Sequence, residues 1–165
     1  MLQVSAVTTQ KNPEAYKKLI DAATRLTKKG VVAGFPKGKL NTPHYEIGEG
    51  KKGPSIIDVA LRNNFGIGVP RRDFMTPSTK RWKKFFQESL DSIRRELLQD
   101  KIDEDKFLNA MGQKGADIIS QEIIALDTPA NSPITVKKKG SSNPLVDSGD
   151  MSRATTWQIR RENDK

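Results

Sequence analysis

The feature that most constrains this chain is a pair of long amphipathic stripes in its middle. Trp82, Phe85, Phe86, Leu90, Ile93 and Leu97 fall at spacings of three, four and seven residues, as the buried face of a helix requires. Ser78 is positioned to cap this helix, which runs to about Leu98. After a break at 100–103 (DKID), Phe107, Leu108, Met111, Gly115, Ile118, Ile119 and Ile123 form a second stripe over about 104–126. A short connection between two such helices predicts an antiparallel hairpin, each arm roughly 30 Å long. Gly112, Gly115 and Ala116 lower helix propensity, so they imply close approach of another backbone.

The flanks of the hairpin read as mixed structure. Residues 2–9 alternate Leu2, Val4 and Ala6 with polar neighbours, a strand pattern. Asn12, Pro13 and Glu14 make a helix start, and a first helix is expected over about 13–29, with Gly30 as its C-cap. Val31–Pro36 is a short β-branched run, expected as a buried strand. Residues 37–54 are rich in Gly, Pro and Lys and read as a long basic loop or irregular hairpin. Ser55 and Asp58 suggest a capping box opening a short helix that Gly66 closes. Ile134–Lys139 is expected as a strand. Thr155, Trp157 and Ile159 give the clearest half-buried strand signal in the chain. The fold class is α+β: one domain over 1–165, a small, mostly antiparallel sheet packed against the long hairpin and one or two shorter helices.

Charge is abundant and uneven. The chain of 165 residues has a formal net charge of +9 and no cysteine. Residues 1–84 carry 17 Lys/Arg against 6 Asp/Glu, whereas residues 85–165 carry 12 against 14. The absence of cysteine excludes disulfides and thiolate metal sites. No secretory signal and no membrane-length apolar run are visible, so the chain is expected to be soluble and made in the cytoplasm, with no membrane partner. A basic region attracts polyanions, and a polarised surface can also stack copies head to tail.

No catalytic constellation emerges, and no enzyme, cofactor or metal is expected. His44, the single histidine, lies in a Gly/Pro-rich loop and cannot supply a two-histidine zinc site. Asp103, Glu104 and Asp105 open a helix, where carboxylates favour the dipole. The glycines around residues 34–53 fit neither a dinucleotide nor a phosphate-loop fingerprint. The basic side chains are more informative. Lys37, Lys39, Lys51 and Lys52 flank the long loop, and Arg71 and Arg72 sit in the next. Lys80, Arg81, Lys83 and Lys84 lie where the hairpin's first helix starts, an unfavourable place for cations unless an anionic partner or an acidic neighbouring subunit compensates. Lys137–Lys139 precede the last turn.

Three stretches in order resemble a known family: AGFPKG at 33–38, IDVALRNNFGIGVPRRDFMTP at 57–77, and SPITVKKKGSSNPLVDSGDM with the following strand. Together they are similar to the virion-morphogenesis proteins of tailed bacteriophages, of the neck and tail-completion type. This chain has Asn64 where that family commonly has an acidic residue, Asp73 in place of proline, and Ser148 in place of threonine. The resemblance implies a non-enzymatic head–tail connector subunit, located at the virion's head–tail junction and in the host cytoplasm during assembly. Its expected partners are copies of itself in a ring, a hexamer by analogy with tail symmetry, and adjacent neck, head-closure, tail-tube or terminator proteins. Non-specific contact with packaged double-stranded DNA is also implied. On this reading Lys37, Lys39, Lys51, Lys52, Arg71 and Arg72 face the DNA channel or an adjoining ring. Phe74, Met75, Lys80, Arg81, Lys83, Lys84 and Asp147 are expected at the subunit interface, with the acidic hairpin of one copy against a basic surface of the next; Phe74 and Met75 can instead anchor the loop to the chain's own core. Asp147 and Ser148 are also expected to bond backbone amides in a turn. The alternative is a non-specific DNA-binding protein or assembly factor acting outside the mature virion.

Overall fold

A computed structural model describes residues 13–35, 46–47, 51–99 and 103–161. The expected strand at 2–9, the Asn12 cap, His44, Lys37 and Lys39 lie outside them. The architecture is α+β. Helix α1 (Pro13–Thr27) leads into strand β1 (Lys29–Gly34), and two short strands follow, β2 (Glu46–Ile47) and β3 (Lys51–Lys52). Next come helices α2 (Ile56–Phe65), α3 (Met75–Leu98), α4 (Glu104–Ala125), α5 (Pro133–Lys139) and α6 (Asp150–Arg153), and the last strand β4 (Thr156–Arg161). β1 pairs antiparallel with β4, Val31 opposite Ile159 and Ala33 opposite Trp157. β2 and β3 pair as the irregular hairpin considered for the long loop.

α4 is the element on which the others rest. Its stripe is buried as the spacing requires: Leu108, Met111, Ala116, Ile118, Ile119 and Ile123 all lie in the interior. It packs against α3 and against the β1–β4 ribbon. The α3–α4 pairs run antiparallel, Arg81 to Glu122 and Lys114 over the Phe85 ring. Both tryptophans of the chain are fastened to α4. Trp82 Nε1 donates to the Met111 carbonyl at 2.9 Å, and Trp157 Nε1 donates to Asn109 Oδ1 at 3.0 Å. The glycines make this possible. A Cβ at Gly112 would fall 2.4 Å from Trp157 Cδ1, and one at Gly115 would fall 2.7 Å from Trp82 Cε2. The close approach expected at these glycines therefore exists, made by indole rings and by the Val31 and Ala33 side chains rather than by a bare backbone.

The main core lies at one end of α4. Ala60, Phe74, Ile119, Ile123, Leu145 and Met151 bury together, with Ala33, Phe35, Ile56 and Val59 packed around them. Phe35 meets Phe74 edge to face at 6.3 Å between ring centroids. α2 enters this core through the anticipated capping box. Ser55 Oγ accepts from the Asp58 N–H, Asp58 Oδ2 accepts from the Ser55 N–H, and Gly66 closes the helix at φ 75°. Ser55→Ala should lower stability by about 1 kcal/mol in a urea melt, with no change of fold by circular dichroism.

Four sequence expectations are corrected. α1 stops at Thr27, and Gly30 lies inside β1 rather than capping a helix. α3 begins at Met75, three residues before Ser78, whose buried hydroxyl instead donates to the Phe74 carbonyl. Its first turn is held by Asp73 Oδ1, which accepts from the Thr76 N–H at 3.0 Å. Residues 133–139 form a helix, not a strand. Ser132 caps it, Pro133 stands at its first turn, and Gly140 ends it in the left-handed conformation. In the following turn it is Asn143 Oδ1, not Asp147 or Ser148, that accepts from backbone amides, those of Leu145 and Val146. The Ser148 hydroxyl donates to the Asp150 carboxylate.

Candidate functional site

Arg72 was expected to face a channel or an adjoining ring, and the fold turns it inward. It is 7 % exposed. Its Nε donates to the Pro129 carbonyl, Nη1 to Asn63 Oδ1 and Nη2 to Asn131 Oδ1, each at 3.0 Å. Its own N–H donates to the Asn63 carbonyl at 2.7 Å. One guanidinium thus ties the end of α2, the loop before α3 and the loop after α4 together. The fork geometry suits arginine, which can satisfy three separate acceptors from one planar group. Asn131 extends the network to the Asn143 carbonyl, and Lys139 Nζ donates to the Asn143 and Pro144 carbonyls. Burial holds the Arg72 pKa below its ordinary value. Burial does the same to Lys139, where the Asp147 charge opposes the shift and the Arg72 charge adds to it.

Phe74 also leaves the set of interface candidates, because at 1 % exposure it is the centre of the chain's own core. Met75 is half-buried against that core. Arg81 is engaged within the chain by Glu122 and Gln121. Arg71 is exposed and pairs with Asp73. Lys80, Lys83 and Lys84 are exposed along α3, and Asp147 is exposed beyond α5. Because α3 starts at Met75, these lysines lie on its second and third turns, past the positive end of the helix dipole, and need no anionic partner there. Lys51 and Lys52 form β3.

The acidic face of the hairpin is largely matched within the chain. Glu104 takes Arg25 and Lys29, Asp105 takes Lys29, and Glu122 takes Arg81. Asp103 caps α4 by accepting from the Lys106 N–H. The hydrogen bond from Arg25 is the main influence holding the Glu104 carboxyl below the usual glutamate range, with Lys29 contributing. A depressed folded-state pKa gives stability that is full above the unfolded value and is lost as pH falls through the folded one. The melting temperature should therefore drop below about pH 4, and Arg25→Gln should make that acid-side drop shallower.

What the surface offers instead is an apolar patch that the sequence did not single out. Leu61, Phe65, Ile67 and Val69 are exposed around the end of α2, Phe65 at 62 % and Ile67 at 58 %. Leu61 and Phe65 also line an apolar groove of about 310 Å³, together with Phe35, Ile57 and Met75. Leu61 and Phe65, four residues apart on α2, share one exposed face, the kind of apolar surface that proteins use for contacts. The signal was present in the run FGIGV at the end of α2, where Phe65, Ile67 and Val69 alternate with Gly66 and Gly68. Among the described residues there is no group of three or more metal-ligating side chains, and no helix is long and apolar enough to cross a membrane. Comparison with known protein families, curated proteins and solved structures gave no match.

Proposed function

We propose that the chain is a non-enzymatic structural subunit of the head–tail connector of a tailed phage, a neck or tail-completion protein that assembles as a ring around the DNA channel. The observation that carries the reading is where the motif sits. The segment that resembles the family, 57–77, builds both the exposed apolar patch at Leu61, Phe65, Ile67 and Val69 and the Arg72 clamp behind it. The clamp fixes the loop from within, so the patch is presented on a supported surface rather than a loose one. A heterologous contact that joins this patch to a different face of the next copy closes into a ring when the rotation allows. Apolar burial supplies the association, since much of the hairpin's acidic charge is already paired inside the subunit.

The test is a Leu61→Glu, Phe65→Glu double variant introduced into the phage. Both side chains are exposed, so the melting temperature should stay within about 2 °C of the parent. Virions should then fail to join heads to tails. Normal joining would remove this patch from the interface. A second reading, non-specific DNA binding outside the virion, is favoured by one observation, the exposed Lys80, Lys83 and Lys84 on α3. It predicts that the purified chain binds duplex DNA with an affinity that falls steeply with salt. Binding that is undetectable at low salt contradicts it.

A further inference from the structure

Resting on the ring reading, we infer that the groove beside α2 receives the uncharged N-terminal segment of a neighbouring copy, residues 2–9. Two features of the groove specify its occupant. Its walls, Phe35, Ile57, Leu61, Phe65 and Met75, are carbon, so the occupant inserts an apolar side chain. Asn64, also in its lining, is 6 % exposed. The Met75 N–H donates to Asn64 Oδ1 at 3.1 Å, which fixes the amide with its Nδ2 as the remaining end. Among the described residues no acceptor takes an Nδ2 hydrogen. A buried donor without an acceptor is costly, so the occupant brings an oxygen along with its apolar group. An extended backbone does this, with side chains on one face and carbonyls at its edge.

The chain carries one segment of that chemistry. Residues 1–10 (MLQVSAVTTQ) are its longest stretch without Asp, Glu, Lys or Arg, in a sequence that is 30 % charged. Leu2, Val4 and Ala6 fall on one side when it is extended. The 12 residues before α1 span roughly 40 Å at full extension, enough to reach an adjacent subunit. Residues 37–45 are a poorer fit, because they bring Lys37 and Lys39 to carbon walls. The neighbour's segment is favoured over the chain's own because Leu61 and Phe65, which line the groove, belong to the surface assigned above to the subunit contact.

The chain has no cysteine, so a disulfide trap reads the contact cleanly. In the full chain carrying Val4→Cys and Leu61→Cys, mild oxidation of the assembled ring should give a ladder of cross-linked multimers on a non-reducing gel. Neither single variant should give more than a dimer. A monomer band with both thiols consumed would assign the segment to its own groove and overturn the neighbour's role. Thiols that stay free would overturn the docking altogether. Asn64→Asp keeps an acceptor for the Met75 N–H but lacks the amide donor, and it should slow cross-linking on the order of tenfold. Failure of this inference is separable from failure of the ring reading. A ring that persists with free thiols sinks only the inference, whereas the absence of any ring in virions sinks both.

Discussion

Arg72→Met should destabilise the protein by about 3 kcal/mol, the largest loss expected from any single side chain outside the apolar core. The substitution leaves Asn63 Oδ1, the Pro129 carbonyl and Asn131 Oδ1 without the donor they share. A buried acceptor left unmatched costs about 1–3 kcal/mol, and removing the desolvated cation gives part of that back. For a chain of this size the melting temperature should fall by roughly 6–12 °C. Arg72→Lys should recover little, because one ammonium cannot span acceptors at the end of α2 and at two points of the loop after α4. A thermal melt followed by circular dichroism checks both variants. The Met variant should also loosen the loop that carries Ile67 and Val69, so amide exchange there should quicken before the helices respond. An unchanged melting temperature would mean that the end of α2 and the two loops are held by something other than the guanidinium.

Gly112→Ala is expected to be nearly as damaging, against the trend of helix propensity. In an open helix position the change would stabilise by up to about 1 kcal/mol. Here the new methyl carbon would stand 2.4 Å from Trp157 Cδ1 and 2.7 Å from Val31 Cγ2. The indole is held by its bond to Asn109 and cannot withdraw without moving β4. Overpacking of this kind costs about 1–3 kcal/mol, and the contact is closer than side-chain adjustment absorbs. The net loss should be about 2 kcal/mol, visible as a lower urea midpoint. Tryptophan fluorescence should change as the ribbon lifts from α4. Gly115→Ala presses on Trp82 and on Ala33, and should act in the same direction. A more stable Gly112→Ala variant would contradict the packing of the ribbon on α4.

These two sites show which parts of the fold could be read from sequence. α4 was legible because its stripe is long and periodic, and its burial follows that stripe almost residue by residue. The α2 capping box and the alternation of β4 were legible for the same reason, since each signal is local. α5 was misread although its signals are local too. The β-branched Ile134, Thr135 and Val136 suggested a strand, but the helix is exposed, Ile134 at 82 %, and buries no residue. Without packing to decide, the Ser132 cap, Pro133 and Gly140 govern the backbone. The start of α3 was misplaced because Ser78 resembles a cap, whereas Asp73 fills that role three residues before Thr76.

Arg72 could not have been read as buried. Its partners Pro129 and Asn131 are 57 and 59 residues away. No spacing rule connects them, and a doublet of arginines in a polar loop ordinarily faces solvent. For Phe74 the choice between core and neighbour could not be made from sequence, because its neighbours in the core come from α2, α4 and the segment around Leu145. The interface residues expected from charge were therefore partly displaced by what long-range folding does with charge. Glu104, Asp105 and Glu122 were already matched by Arg25, Lys29 and Arg81. The exposed apolar groups Leu61 and Phe65 on α2, with Ile67 and Val69 after Gly66, took their place as the proposed contact surface.

The most direct test of the connector role is electron microscopy of purified virions with this chain located in the density. The account predicts a closed ring of copies between the head's portal and the tail tube, with Leu61, Phe65, Ile67 and Val69 buried between neighbours and Arg72 inside each subunit. Virions that lack the chain, or that hold it away from the head–tail junction, would contradict the account.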